Sequence, residues 1–457
     1  MPTPPYRRAA VAALAASALL LTACADLLDN SNGGEPAEGP TTVRLYGTDG
    51  TMQNSFAAQL SDRTLVAGMK GTRPMTRLSA EFTNRLLRVD DSLQDFLFAG
   101  ETYDAVVISA IAAELAGTPD PEVVRDYILG VTSGGEECRS VAACMSLARD
   151  GQDLQYRGVS LTRGGLTDMG EPSASTYETL HFGADGVIDP GRSEFIGAGD
   201  LSSVSSEEPP PPNPQLDLPE WEVEPLRFGG VLPETGALAF AYPPIHAATQ
   251  LAITDINDSG GVFGVPVEWL DGDSGTDPEV ARATIASHVE AGAHILIGPA
   301  ASGVAEAVMA DAAAARVIMF GSSTTAAHLV EGDHDGFFFR TAPPDSLQGA
   351  ALADMLLRDG VQRIVIVARD DAYGTGLQRN ALDALERFGV DASAVTLLTY
   401  DLPEDGGDED TLPPIPNLDS LVERILEAQP DGLVVVGFEE AAQLIEQLAD
   451  EGLPLLQ

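Results

Sequence analysis

Basic residues are scarce in this chain. Lysine and arginine total 25 against 70 aspartates and glutamates, a formal charge of −45 over 457 residues. A surface of that sign repels phosphate backbones and excludes nucleic acid as a partner. The acidity reads as a solvated exterior that keeps a secreted chain soluble, rather than as a site for a cationic partner. Cysteine is scarcer still, with Cys24, Cys138 and Cys144 only. Two thiols with no histidine close by in sequence are too few soft ligands for a metal site, so none is expected. In an oxidising compartment Cys138 and Cys144, in a loop containing Gly and Ser, read as a small disulfide. Catalytic signatures are missing as well. There is no Gly-x-Ser-x-Gly elbow, and His181, His246, His288, His294, His328 and His334 pair with no evident nucleophile or metal motif. Asp271 to Asp277 has carboxylates at calcium-loop spacing but lacks the glycine and the glutamate such a loop needs, and reads as a strand-to-helix loop. Gly374-Thr375-Gly376 is only a fragment of a phosphate loop. The chain is therefore expected to be no enzyme and to carry no cofactor.

The apolar run from Ala9 to Leu21 is roughly 13 residues, short of the ~20 that a spanning helix requires. It follows Arg7-Arg8 and ends in Leu21-Thr22-Ala23-Cys24. That pattern resembles a bacterial lipobox, so residues 1–23 are expected to be a signal peptide and Cys24 the acylated residue. Residues 24–41 would be a polar tether to the membrane, and the location extracytoplasmic. A plain secretory peptide with an incidental cysteine is the alternative.

A hydrophobic content of 44% allows an ordinary core in two lobes. Residues 42–196 alternate strand-like segments, such as Ala105 to Ile108, with helical ones around Ala110 to Gly117. Residues 197–224 form a linker, acidic and then stiff at Pro209 to Pro212. From 225 to 457 the β/α rhythm is plain. A helix at Pro278 to Ala291, a strand at His294 to Ile297, a helix at Val304 to Ala315 and a strand at Ile364 to Val367 are examples. Parallel α/β architecture follows. In such sheets ligands bind beyond the carboxyl ends of the strands.

Several ordered motifs lie in this second half. They are Leu232-Pro233-Glu234-Thr235-Gly236, Asp255-Ile256-Asn257 before Gly260-Gly261, Asp277-Pro278, Gly298-Pro299-Ala300-Ala301-Ser302, Phe339-Arg340-Thr341-Ala342-Pro343 and Asp371-Ala372-Tyr373-Gly374. Together they resemble the type I periplasmic binding proteins of the branched-chain amino acid family. That resemblance implies two Rossmann-like lobes with parallel sheets and a ligand held between them. The front of the chain, at Val43 to Gly50, Tyr103 to Val106 and Tyr156 to Gly158, resembles the C-terminal portion of the same family. Read as 225–457 followed by 42 to about 190, the parts make one binding protein, which points to a circular permutation. A misassembled gene or a truncated tandem is the alternative. Lobe one would comprise 225–342 with about Tyr103 to Asp153. Lobe two would comprise 344–457 with Val43 to about Glu101 and strands near Thr176 to Ile188. The stretch Gly158 to Arg163 departs from the family's expected Gly-Ser-Gly-like turn.

An amino acid needs NH and hydroxyl donors for its carboxylate and an acidic acceptor for its ammonium. The resemblance assigns Ser302 and Thr325 to the carboxylate, with Ser323 giving mainly backbone groups, although each could be a simple cap or turn hydroxyl. It assigns Asp49 to the ammonium, and Tyr373 and Phe438 to aromatic closure over the ligand. Phe240 and Tyr242 align loosely with the side-chain pocket. The expected partners are a small amino acid or amide and, as the resemblance implies, the permease subunits of an ABC importer. A sensory module reporting to a membrane receptor, or a degenerate lipoprotein, would use the same outline.

Overall fold

The structure is a computed structural model and describes residues 42–211, 223–402 and 412–456. The expected signal peptide, Cys24, the tether up to Thr41 and the middle of the linker lie outside the described residues. Fourteen strands can be numbered among the described residues. The first six are β1 (Arg44–Gly47), β2 (Lys70–Pro74), β3 (Glu136–Cys138), β4 (Leu154–Tyr156), β5 (Ala174–His181) and β6 (Glu194–Gly199). Next come β7 (Arg227–Gly230), β8 (Glu268–Leu270), β9 (Ile295–Ile297), β10 (Ile318–Gly321) and β11 (Phe338–Arg340). The last are β12 (Ile364–Arg369), β13 (Val395–Tyr400) and β14 (Gly432–Val436).

They form two main sheets. Lobe one holds a five-stranded parallel sheet in the order β11-β10-β9-β7-β8. Lobe two holds a seven-stranded sheet in the order β13-β12-β14-β1-β2-β5-β6. Its first five strands are parallel, while β5 and β6 run antiparallel and close its edge. Strand β1, from the front of the chain, thus fills the middle of a sheet whose neighbours β14 and β12 come from the back. Val43 pairs with Leu455, and the amide of Leu456 donates to the Val43 carbonyl at 2.8 Å.

The sheet sequences explain their burial. In β12 and β14 alternate residues enter different cores. Val365, Val367, Leu433 and Val435 pack on one face, and Ile364, Ile366, Val434 and Val436 on the other. Near-continuous apolar runs of this kind suit a parallel strand covered on both faces.

The structure corrects several boundaries. Ala105 to Ile108 is not a strand. It lies inside one helix, Ala99–Ala116, in which every residue is buried. A helix buried all round shows no amphipathic period, so a short window of it reads equally well as a buried strand. Helix Ala80–Val89 also belongs with lobe one rather than lobe two. Phe82 packs edge-on against Tyr103, and Arg85 pairs with Asp255 on helix Tyr242–Asp258. The chain therefore leaves lobe two directly after β2. The linker begins later than 197, because β6 continues to Gly199 in register with β5. Residues beyond it rest on lobe one, where Tyr127 donates to the Pro211 carbonyl at 3.0 Å.

The stretch that departs from the family's turn is organised by Asp104. Its buried carboxylate accepts from Tyr156 OH at 2.7 Å, from the amides of Val159, Ser160 and Leu161 at 2.9, 2.7 and 3.0 Å, and from Ser160 Oγ at 2.7 Å. Gly158 is required here because a Cβ would lie 2.1 Å from Asp104 Oδ1. Nearby, Cys138 and Cys144 form a disulfide with a Cα–Cα distance of 5.4 Å.

Candidate functional site

Between the carboxyl ends of the two sheets lies a narrow cleft of about 30 Å³. All six candidate residues, Asp49, Ser302, Ser323, Thr325, Tyr373 and Phe438, line it. They come from loops far apart in the chain, each following a strand or opening a helix.

Lobe one contributes a neutral wall rich in hydroxyls. Ser302 is the first residue of helix Ser302–Ala314, and Ala301 is its cap, so the hydroxyl is not used in capping. Ser302 Oγ accepts from the amides of Thr325 and Ala326, both at 3.2 Å. With both lone pairs engaged, its own hydrogen is left to donate, at a helix N-terminus that favours negative charge. Ser323 Oγ lies 3.4 Å from the Ala300 carbonyl. Arg340, fully buried on β11, fastens the loop on both sides of Thr325. Its Nη1 donates to the carbonyls of Thr324 at 3.2 Å and Ala326 at 2.8 Å, while Glu171 pairs with the same guanidinium. The position of the Thr325 hydroxyl therefore depends on a buried ion pair.

Lobe two contributes a charged and aromatic wall. Asp49 follows β1 and is 5% exposed. Its Oδ1 accepts from Tyr373 OH at 2.7 Å and from Gln348 Nε2 at 2.9 Å. Its own backbone amide also supports the carboxylate. Burial holds the Asp49 carboxyl above its ordinary pKa, and the bonds from Tyr373 and Gln348 partly oppose this. Gly50 lets this loop close on β14's end, because a Cβ there would lie 2.1 Å from the Gly437 carbonyl. Tyr373 stacks on Phe438 with ring centroids 5.6 Å apart, and Arg369 lies 3.7 Å above the Phe438 ring. Arg369 is itself held by Asp371 at 2.6 Å and Glu440 at 2.8 Å. The edge of Phe240 from lobe one meets Phe438 at 6.3 Å. Of the two loosely aligned aromatics, Phe240 lines the cleft, while Tyr242 stacks on His246.

The structure adds residues that sequence reasoning missed. Leu97, Phe98 and Leu238 complete an apolar part of the wall. Phe98 has φ 58°, a left-handed backbone that a bulky residue rarely adopts, and it caps helix Ala99–Ala116. Behind the cleft, Gln348 bridges Asp49 to the carbonyl of Thr72 at 3.1 Å. Asp345, one turn earlier, is buried with neither carboxylate oxygen in bonding geometry. The Thr325 hydroxyl lies near it without reaching such geometry, and burial together with the neighbouring Asp49 charge pushes its pKa well above the carboxylate range. The signal was an Asp-x-x-Gln pattern opening the helix after Pro343-Pro344. No group of three His, Cys, Asp or Glu among the described residues could hold a metal. No helix among them is long and apolar enough to cross a membrane.

Comparison with known proteins bears on this geometry. The chain is 25% identical over 238 residues to an uncharacterized protein of Methanocaldococcus jannaschii, covering 51% of this chain and 55% of that protein. It is 30% identical over 225 residues to the chemotactic signal transduction system substrate-binding protein BasB of Halobacterium salinarum, covering 47% and 50%. It is 29% identical over 153 residues to the Leu/Ile/Val-binding protein BraC3 of Rhizobium johnstonii, covering 33% and 41%. The chain thus spans about half the length, or less, of these curated relatives. Among solved structures, the leucine binding protein LivK of Thermotoga maritima matches with 21% identity and a TM-score of 0.42, covering 50% of this chain and 61% of that one. A family model described as periplasmic binding protein matches residues 225–456, half of the chain. That family consists of solute-binding proteins, not enzymes. The chain belongs to the periplasmic binding protein family.

Proposed function

We propose that this protein is an extracytoplasmic, lipid-anchored solute-binding protein that carries an amino acid of the branched-chain class to ABC permease subunits. The observation that supports it is the polarity of the cleft. Hydroxyl donors and a helix N-terminus lie on one wall, a buried carboxylate on the other, and apolar groups between them. In this reading Ser302, Ser323 and Thr325 hold the ligand carboxylate, and Asp49, steadied by Tyr373, holds the ammonium. Phe240, Phe98 and Leu238 cover an aliphatic side chain, and Phe438 closes over it. The Leu/Ile/Val-binding relative is consistent with such a ligand.

Thermal unfolding of the protein with a panel of amino acids, amides and aromatic acids tests this, because a ligand bound only by the native state raises the midpoint. Leucine, isoleucine or valine should raise it. A panel-wide absence of any shift would count against the reading. Since an ammonium ligand selects the ionised form of Asp49, affinity should fall as pH falls through the raised pKa of that carboxyl. Lipidation predicts a diacylglyceryl adduct on Cys24 by mass spectrometry after membrane extraction.

The permuted order belongs to the same proposal. A chain rejoined as 225–457 followed by 42–211 should unfold at a similar temperature and bind the same ligand, and an insoluble product would count against it. A sensory role is the second reading, favoured by the relative from a chemotactic signalling system. Co-purification with a receptor rather than a permease would select it.

A further inference from the structure

At the opposite edge of the lobe-two sheet from the cleft, by the amino ends of β1 and β2, lies a recess of about 420 Å³. Arg44, Lys70 and Arg192 line it, together with Tyr46, Phe182 and Asp359. In a chain with 25 basic residues against 70 acidic ones this is an unusual gathering, and Lys70 is the only lysine in the sequence.

The charges there do not cancel. Asp359 is the one carboxylate lining the recess, and it is fully engaged. Lys70 Nζ reaches its two oxygens at 2.6 and 2.8 Å, and Tyr46 OH donates to it at 2.8 Å. Arg44 donates to the backbone carbonyl of Asp359 at 2.9 Å, not to a carboxylate. Arg192 is exposed and has no ion pair among the described residues. Three cations and one carboxylate thus line the recess. His181 stands opposite Lys70 in the antiparallel register of β2 and β5, on the same sheet face, and its buried Nδ1 has no hydrogen-bond partner. Burial, then the charges of Arg192 and Lys70, hold its imidazole below the ordinary pKa, against opposing pulls from Glu194 and Asp359.

We propose that this recess is a second binding site, separate from the ligand cleft, that takes a phosphate-type oxyanion. Guanidinium forks and an ammonium suit a tetrahedral oxyanion, and hydrogen bonds to Asp359 fix Arg44 and Lys70 here. Phe182 and Leu456 give the recess an apolar flank. The same chemistry has two sources, a free phosphate group or the phosphate of an anionic lipid headgroup. The second is suggested by the path of the chain, which enters lobe two at Val43 beside Arg44. That choice of source rests on the lipid-anchor reading, while the oxyanion site itself does not.

The test uses the full chain in unacylated form, at constant ionic strength. Inorganic phosphate is titrated by calorimetry into the wild type, Arg192→Ala and Arg379→Ala. Arg379 is exposed on helix Ala372–Arg387 of the same lobe and does not line the recess, so it controls for lost charge. Phosphate should saturate one site in the wild type and in Arg379→Ala, with or without leucine present. Arg192→Ala should bind at least tenfold more weakly at an unchanged thermal midpoint. Co-sedimentation with phosphatidylglycerol vesicles but not phosphatidylcholine vesicles, lost in Arg192→Ala, would identify the headgroup as the source. Phosphate binding without vesicle retention would identify the free anion. No saturable phosphate binding, or equal weakening in both variants, would overturn the site.

Discussion

The two walls of the cleft solve different problems with different materials. Lobe one offers neutral donors held by backbone bonds, with Ser302 satisfying the amides of Thr325 and Ala326. Lobe two offers a buried carboxylate and stacked aromatic rings, steadied by an arginine between two acids. Lobe one therefore needs little charge in its cleft wall beyond the Arg340 clamp behind it. Lobe two must keep charge buried, and its stability and its binding are tied to the same residues. It also depends on both parts of the chain, because Asp49 precedes its partners Gln348 and Tyr373 by about three hundred residues in sequence.

That contrast can be broken most strongly at Arg369. Arg369→Ala would leave Asp371 and Glu440 facing each other without their shared cation, and removing one partner of a buried pair costs roughly 3–5 kcal/mol. Chemical denaturation should register this loss, whereas lobe one has no comparable residue within the wall itself. Next in size is Asp49→Ala. It should weaken binding of an amino acid by about 1.5–3 kcal/mol, the range for a hydrogen bond to a charged group, while a ligand without an ammonium should be little affected. Calorimetric titration reads both. Ser302→Ala should cost about 1 kcal/mol of affinity for any carboxylate ligand, since one neutral hydroxyl donor is lost and backbone amides remain.

A pH-dependent effect concerns Glu101. Burial pushes the Glu101 carboxyl, in the first turn of helix Ala99–Ala116, up to about 8. The folded chain then keeps a proton that the unfolded chain releases once pH exceeds the ordinary glutamate value. This contribution to stability is full below that value, declines as pH rises and levels off above about 8. Urea midpoints measured across that window should fall less steeply in Glu101→Gln than in the wild type. Parallel slopes would remove Glu101 from the account.

Much of this was legible in the sequence, for physical reasons. Strand-end loops collect ligand residues in α/β sheets, but it was the family resemblance, not loop position alone, that singled out Ser302, Ser323, Thr325, Tyr373 and Phe438. Asp49 could be named only because the front of the chain resembled a missing part of the same fold. What could not be read was context supplied by packing. Ala105 to Ile108 looks strand-like because its polar neighbours are themselves buried in one helix. Phe98 lines the cleft through a left-handed backbone that no residue type announces. Gln348 and Asp345 gain their meaning from distant groups, Thr72 and Asp49, that only the folded chain brings near.

The most direct test of the two-walled cleft is a calorimetric comparison of leucine with 4-methylpentanoate, which lacks the ammonium, and with isoamylamine, which lacks the carboxylate. The account predicts that leucine binds at least tenfold more tightly than either in the wild type, and that Asp49→Ala brings leucine and 4-methylpentanoate to similar affinity. Equal binding of leucine and 4-methylpentanoate by the wild type would contradict it.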